Sequence, residues 1–333
     1  MHKKYVMKAK VREKKTSYDR LKDQLLPLTF ASDDTIYIPN ILNKNKLWIN
    51  QYDVEYGPHT LLKLACLRYY FDIALEAVKN YFENYIFIDA FAGSGLVKIK
   101  GTNYVSLGSS LLALTFKSRT GIHFKKVICV EKDMSRAKLL ENKLKILKKE
   151  FNLDTYFKVI PGDVNLYIEK VSEEINAKDY GILFIDPEGV EINLPNLKIV
   201  LSKSDTIDVI LNQSRGVYRL VGKAEKGDKN ALKKLNEYLG IKEITDPNKA
   251  TDELFNKLFG KPINAIAQIR DENNTLLYTL SFRVRNTKGG SRWMKAMEDF
   301  IAHVINKVNG SDVKIILDQI HGKNFRIDDF IEK

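Results

Sequence analysis

The feature that most limits how this chain can fold is an alternation of short apolar runs with amphipathic stretches through its middle. Runs rich in β-branched and aromatic residues stand at 85–91 ("YIFIDAF"), 125–132 ("KKVICVEK"), 155–162 ("TYFKVIPG"), 181–188 ("GILFIDPE") and 206–213 ("TIDVILNQ"). Runs of this composition read as strands, and near-continuous ones as strands covered on both faces. Between them, "SLGSSLLALTFK", "SRAKLLENKLKILKKEF" and "VNLYIEKVSEEIN" carry helical patterns. Strand and helix in alternation call for a parallel sheet with helices on both faces and right-handed crossovers. The pattern then breaks: "NAIAQIR" and "TLLYTLSFRV" are separated only by "DENN", too short for a parallel crossover, so this pair is expected to form an antiparallel hairpin. The expected fold is α/β, a doubly wound Rossmann-like sheet of five parallel strands closed by that hairpin.

This divides the 333 residues into a basic arm and N-terminal helical extension (1–84), a Rossmann-like core (85–214), a helical insertion (215–262), the closing hairpin (263–290) and a C-terminal helical or mixed tail (291–333). No apolar run approaches the roughly 20 residues that span a bilayer. The N-terminus carries charges throughout and lacks the apolar segment of a secretory signal. A cytoplasmic location without membrane attachment is the expectation. Cys66 and Cys129 are the two cysteines, and Cys129 lies inside a strand-like run, as a packing thiol does. With five scattered histidines, no metal site is expected. The formal net charge is +12, and residues 1–23 hold nine Lys or Arg against three acids. Such an arm is either a solvated tail or a binder of polyanions.

Acidic residues close the successive strands. Asp89 ends the first, just ahead of Gly93 and Gly95, where the backbone can turn sharply and a ligand can touch the main chain. Glu131 ends the second, where a carboxylate can accept both ribose hydroxyls of a nucleoside. Asp163 ends the third and can accept from an exocyclic adenine amine; Asp186 ends the fourth. Ligands of doubly wound sheets sit at these carboxyl ends, near the reversal of strand order. Gly95 to Glu131 is longer than the roughly 20-residue spacing of a compact dinucleotide fold, so "LVKIKGTNYVSLG" is expected to be an inserted loop.

Taken in order, "FIDAFAGSG", "LGSSLLAL", "VICVEKD", "GDVN" and "LFIDPEG", with the later "LLYTLSFRVRNTKGGSRWMKAM", resemble the three-Cys-motif partner proteins, a prokaryotic family with a methyltransferase-like domain. The resemblance covers roughly Leu47 to Met297. Five parallel strands followed by a hairpin are likewise similar to the plan of class I methyltransferases. The resemblance implies S-adenosyl-L-methionine as cofactor and a separate three-Cys-motif protein as partner. It implies that Asp89 and the loop of Phe91, Ala92, Gly93 and Gly95 face the methionine end, Glu131 the ribose, Asp163 and Val164 the adenine, and Asp186 the sulfonium methyl. Asp186 or Glu188 would orient an amine or take its proton. "DPEG" departs from the family, where a small or aromatic residue is more usual after the proline. It departs also from the pattern of exocyclic-amine DNA methyltransferases, and no Pro-Cys dipeptide serves cytosine C5 chemistry.

Two regions are candidates for choosing a substrate. The insertion, 215–262, follows the fifth strand and overhangs the same crevice as a lid or target-recognition element, or else decorates the sheet edge. In "RVRNTKGGSRWMK", Arg283, Arg285, Lys288, Arg292 and Lys295 surround Trp293, a grouping suited to phosphate contacts and base stacking on DNA or RNA. The alternative there is a hairpin exit with Trp293 folded into the core. The expected function is S-adenosylmethionine-dependent methyl transfer to a macromolecule, nucleic acid being favoured by charge. The alternatives are a non-catalytic nucleic-acid-binding or defence-associated module and a scaffold for a three-Cys-motif protein.

Overall fold

The computed structural model describes residues 15–240, 243 and 246–322, with the side chains of 288–291 outside that description. Seven strands, β1 (Tyr85–Asp89), β2 (Lys126–Glu131), β3 (Tyr156–Pro161), β4 (Tyr180–Ile185), β5 (Ile207–Ser214), β6 (Ile263–Arg270) and β7 (Leu276–Val284), form one sheet in the order β3-β2-β1-β4-β5-β7-β6. β1 to β5 are mutually parallel. β7 lies antiparallel between β5 and β6. The five parallel strands and the hairpin are therefore present as the sequence requires. Strand order reverses at β1, which leaves the carboxyl ends of β1 and β4 side by side at the place where such sheets take their ligands.

The α-helices among the described residues are α1 (Ser17–Leu28), α2 (Ile38–Lys44), α3 (Thr60–Val78), α4 (Ser109–Thr115), α5 (Met134–Glu150), α6 (Val164–Glu173), α7 (Lys198–Leu201), α8 (Arg215–Glu225), α9 (Lys229–Leu239), α10 (Pro247–Glu253), α11 (Lys288–His303) and α12 (Gly310–Ile320). Alternate strand residues serve two cores because side chains alternate across a strand. Phe87, Val127, Cys129, Ile182 and Phe184 pack with α1 to α5, α11 and α12. Ile86, Ile88, Ile128, Val130, Leu183 and Ile185 pack with α6 to α10. This double coverage is why β1, β2, β4 and β5 read as unbroken apolar segments, whereas β3, at the edge of the sheet, is mostly half-buried or exposed. Among the described residues no helix is long and apolar enough to cross a membrane, and no cluster of three metal-ligating side chains occurs.

The stretch expected to be an inserted loop is ordered differently. Leu96–Ile99 and Val105–Leu107 pair as an antiparallel hairpin, and Glu55–Tyr56 joins the first of them in parallel, giving a separate three-stranded sheet. Gly101, at φ +71°, turns that hairpin.

One buried acid gives a test of the core. Asp208 on β5 accepts hydrogen bonds from the hydroxyls of Tyr70 (2.7 Å) and Tyr180 (2.5 Å), and burial pushes it up to about 6. Its folded-state pKa lies above the unfolded value of about 3.9. The stability it contributes is thus complete below that unfolded value and is lost as pH rises through about 6. Asp208→Asn keeps an acceptor and removes the charge. It is expected to raise stability at about pH 8, by on the order of 2 kcal/mol, and to leave it nearly unchanged at about pH 4. Thermal denaturation at the two pH values checks this.

Candidate active site

A cavity of about 610 Å³ opens at the carboxyl ends of β1, β2, β4 and β5. Phe91, Ala92, Gly93 and Gly95 after β1, Glu131 at the end of β2, Asp163 and Val164 after β3, and Asp186 and Glu188 after β4 all line it. Nine of the residues singled out from the sequence for cofactor or catalysis thus face one space.

Asp89 does not. It is fully buried beneath the cavity, accepting from Ser109 Oγ (2.6 Å) and Ser110 Oγ (2.7 Å), with the Phe91 N–H at 3.4 Å. Burial pushes it up to about 6. Two residues on from Phe87, it points to the same side of the sheet, where the first turn of α4 meets it. Its task is to tie the end of β1 to α4, and the expectation that it faces a ligand is corrected.

The two glycines do different things. Gly93 has φ +62°, and a Cβ built there would meet nothing within 4 Å. Gly95 has φ +95°, and its Cβ would come within 2.9 Å of Leu140 Cδ1 and 3.0 Å of Leu111 Cγ. Gly93 leaves the cavity open; Gly95 lets the loop close on the helices behind it. Behind this loop, Ser94 Oγ donates to Asp53 (2.7 Å), whose same oxygen accepts from Lys143 (2.5 Å), both ends of that ion pair being shut off from solvent.

Glu131 is fixed by the main chain. Its Oε2 accepts from the Gly93 N–H (2.7 Å) and its Oε1 from the Asp133 N–H (2.9 Å). Each oxygen keeps acceptor capacity for a ligand in the cavity. Asp163 caps α6 through the Asn165 N–H (3.0 Å) and pairs with Lys132 (3.1 Å), so it is already half committed.

The centre of the cavity holds groups that the sequence reading missed. Lys63, from the first turn of α3, forms an ion pair with Asp186 and stands 5.5 Å from the ring centre of Tyr278. Asn212 at the end of β5 donates to Asp186 Oδ1 (2.6 Å), and Tyr56 donates to Glu188 Oε1 (3.1 Å). Asn212 Oδ1, the Tyr278 hydroxyl and His59 Nδ1 are buried without a hydrogen-bond partner among the described residues, and all three side chains line the cavity. One signal was available: Lys63 is a lone cation near the start of an otherwise apolar helix face. Burial and the charge of Asp186 push the Tyr278 hydroxyl well above the usual phenol range, so it stays a donor. Burial pushes His59 down, so it is neutral near neutral pH.

The basic cluster expected around Trp293 is not at this cavity. β7 runs opposite to its neighbours, so Tyr278, paired with Ser214, reaches the cavity while Arg283, paired with Val209, lies toward the far end. Arg283 is 3% exposed, tied to Asp252 and to Ser281 Oγ (2.7 Å), with its guanidinium 5.2 Å from the Phe255 ring centre. Arg285 pairs with Asp205. Trp293 is half-buried and donates to the Tyr70 hydroxyl (3.2 Å). Arg292 is exposed on α11, and the Lys288 side chain lies outside the described residues. Of the basic arm, residues 1–14 lie outside them too; Lys15 pairs with Asp23 and Arg20 with Asp299. The cations that do line the cavity include Arg136 from α5 and Arg215 and Arg219 from α8.

No family model matches the chain, and no curated protein matches it. Similar solved structures include Trm1 from Pyrococcus horikoshii with S-adenosyl-L-methionine, at 12% identity and a TM-score of 0.38 over 73% of this chain and 58% of that one. Protein LPL1258 from Legionella pneumophila matches at 12% identity and 0.43, over 72% and 91%. The O-methyltransferase from Bacillus cereus in complex with SAH matches at 16% and 0.37, over 83% and 94%. This chain spans 58% of the length of the Trm1 structure. At such identities and TM-scores the matches decide nothing about activity, and the likeness to three-Cys-motif partner proteins rests on sequence motifs alone.

Proposed function

We propose that the chain binds S-adenosyl-L-methionine in this cavity and transfers its methyl group to a nucleic acid. The observation that supports this most is Glu131 beside Gly93. A carboxylate held by two main-chain N–H groups faces a loop whose glycine leaves room for a ligand to lie against the backbone. That donor and acceptor set fits a nucleoside with two ribose hydroxyls. Dinucleotide-binding Rossmann domains use the strand order 3-2-1-4-5-6, whereas β7 here is inserted antiparallel next to β5.

Phe91 to Gly95, Glu131, Asp163 and Val164 would hold the cofactor. When bound, it supplies a methyl group already activated by the sulfonium charge, so the protein has chiefly to align an acceptor and manage one proton. Asp186 is clamped between Lys63 and Asn212, which fixes the Asn212 amide with its Oδ1 free to accept from an N–H or O–H of the acceptor. Tyr278 donates to an acceptor oxygen or ring nitrogen. His59, neutral, offers a ring nitrogen for the proton that leaves.

Transfer of labelled methyl from S-adenosylmethionine to single-stranded RNA or DNA tests the reading. Label on neither, with label on protein instead, would overturn the nucleic-acid part. Glu131→Ala is expected to weaken binding of S-adenosylhomocysteine by about 1 to 3 kcal/mol, the loss of charge-assisted hydrogen bonds to buried hydroxyls. Unchanged affinity in calorimetry would remove Glu131 from the site.

A further inference from the structure

α8 begins at the cavity and shows two unlike faces. Ser214, which lines the cavity, caps the helix by accepting from the Gly216 N–H (3.2 Å). Val217 and Ala224 are buried, with Leu220 and Val221 packed against the same core. On the opposite side Arg215, Arg219, Lys223 and Lys226 are all exposed. At about 100° per residue Arg215, Arg219 and Lys223 fall within an arc of roughly 80°, spaced by about 6 Å along the axis, and Lys226 follows as the C-cap residue. Gly222 lies beside this row, and a Cβ there would meet nothing within 4 Å, so the face is flat.

The row differs from the basic groups near Trp293 in carrying no neutralising acid: Arg283 and Arg285 each have an acidic partner. None of Arg215, Arg219, Lys223 and Lys226 has an ion-pair partner among the described residues, although Glu225 is exposed on the flank. Four like charges in line repel one another, and a ligand with regularly spaced negative charges relieves that. The inner two, Arg215 and Arg219, line the cavity that also holds the buried, unpartnered Oδ1 of Asn212, a residue 5% exposed. A base must leave its stack to reach such a recess.

We propose that this row is a phosphate track that leads single-stranded nucleic acid into the cavity. It rests on the methyl-transfer reading for what happens at its inner end, and on charge and geometry for the binding. The test is fluorescence anisotropy of labelled single-stranded RNA and DNA oligonucleotides with the full chain across a salt series. The double variant Lys223→Gln with Lys226→Gln removes two exposed charges that do not line the cavity. It is expected to make the slope of log affinity against log salt shallower by about 1.4, from about 0.7 per phosphate contact on single strands. Lys145→Gln with Lys149→Gln, exposed on α5, removes the same charge elsewhere and is expected to leave the slope unchanged. Equal effects from both pairs, or none from the α8 pair, would overturn the proposal. So would tighter binding to a duplex, to polyglutamate or to phosphatidylserine vesicles than to the single strands. S-adenosylhomocysteine titrated in parallel separates the two readings. Cofactor binding without the α8 effect sinks the track alone, and the α8 effect without cofactor binding sustains the track while removing methyl transfer.

Discussion

Gly93→Val is expected to abolish binding of S-adenosylhomocysteine, weakening it more than about 100-fold, in a chain that remains folded. A Cβ at this position meets no protein atom within 4 Å, so the branched side chain is directed into the cavity beside Glu131. The backbone at φ +62° charges a non-glycine residue about 1 to 2 kcal/mol, enough to lower the melting temperature and too little to unfold a domain of this size. Gly95→Val is the contrast: its Cβ would press on Leu111 and Leu140, so the loss there should fall on stability first. Calorimetry with thermal denaturation on both variants separates them. Normal affinity in a folded Gly93→Val protein would show that no ligand lies against this loop.

The second large effect is expected at Lys143. Its ammonium is wholly shielded from solvent and paired with Asp53 at 2.5 Å, while Asp53 also accepts from Ser94 Oγ and from the Asn50 N–H (3.0 Å). Burial pushes Lys143 down, against the pull of Asp53. Lys143→Met strands a buried carboxylate and is expected to cost about 3 to 5 kcal/mol of stability. Adding Asp53→Asn should recover a large part of that, because the pair is then deleted together. Since Asp53 holds Ser94 between the two glycines, Lys143→Met should weaken S-adenosylhomocysteine as well. Urea denaturation of the single and double variants checks the first two outcomes, and additive rather than compensating losses would mean that the two charges do not support each other.

β1, β2, β4 and β5 were legible because burial on both faces leaves a simple mark, an unbroken apolar run, and the hairpin because "DENN" cannot carry a crossover. The loop, Glu131 and Asp186 were legible because strand ends have a fixed meaning in such a sheet. Partners far apart in the chain were not. Lys143 sits in a helix dense with lysines, and only Asp53, 90 residues earlier, sets it apart. Lys63 acquires its role from Asp186, 123 residues later. Asp89 has the right position and the wrong face, which the serines of α4 reveal. The Arg283 and Trp293 cluster could have been placed from sequence, since an antiparallel last strand carries its far end away from the carboxyl edge of the sheet. On α8 the spacing of the basic row is visible in the sequence. That its first two members line the cavity is not.

Isothermal titration of the full chain with S-adenosylhomocysteine tests the central claim most directly. Binding at one site is expected, with a matching rise in melting temperature, since a ligand at 100 times its Kd stabilises the folded state by about 2.7 kcal/mol. Absence of both heat and thermal shift with saturating ligand, in a chain shown to be folded, would contradict the cofactor assignment and with it the methyl-transfer reading of Glu131 and Gly93.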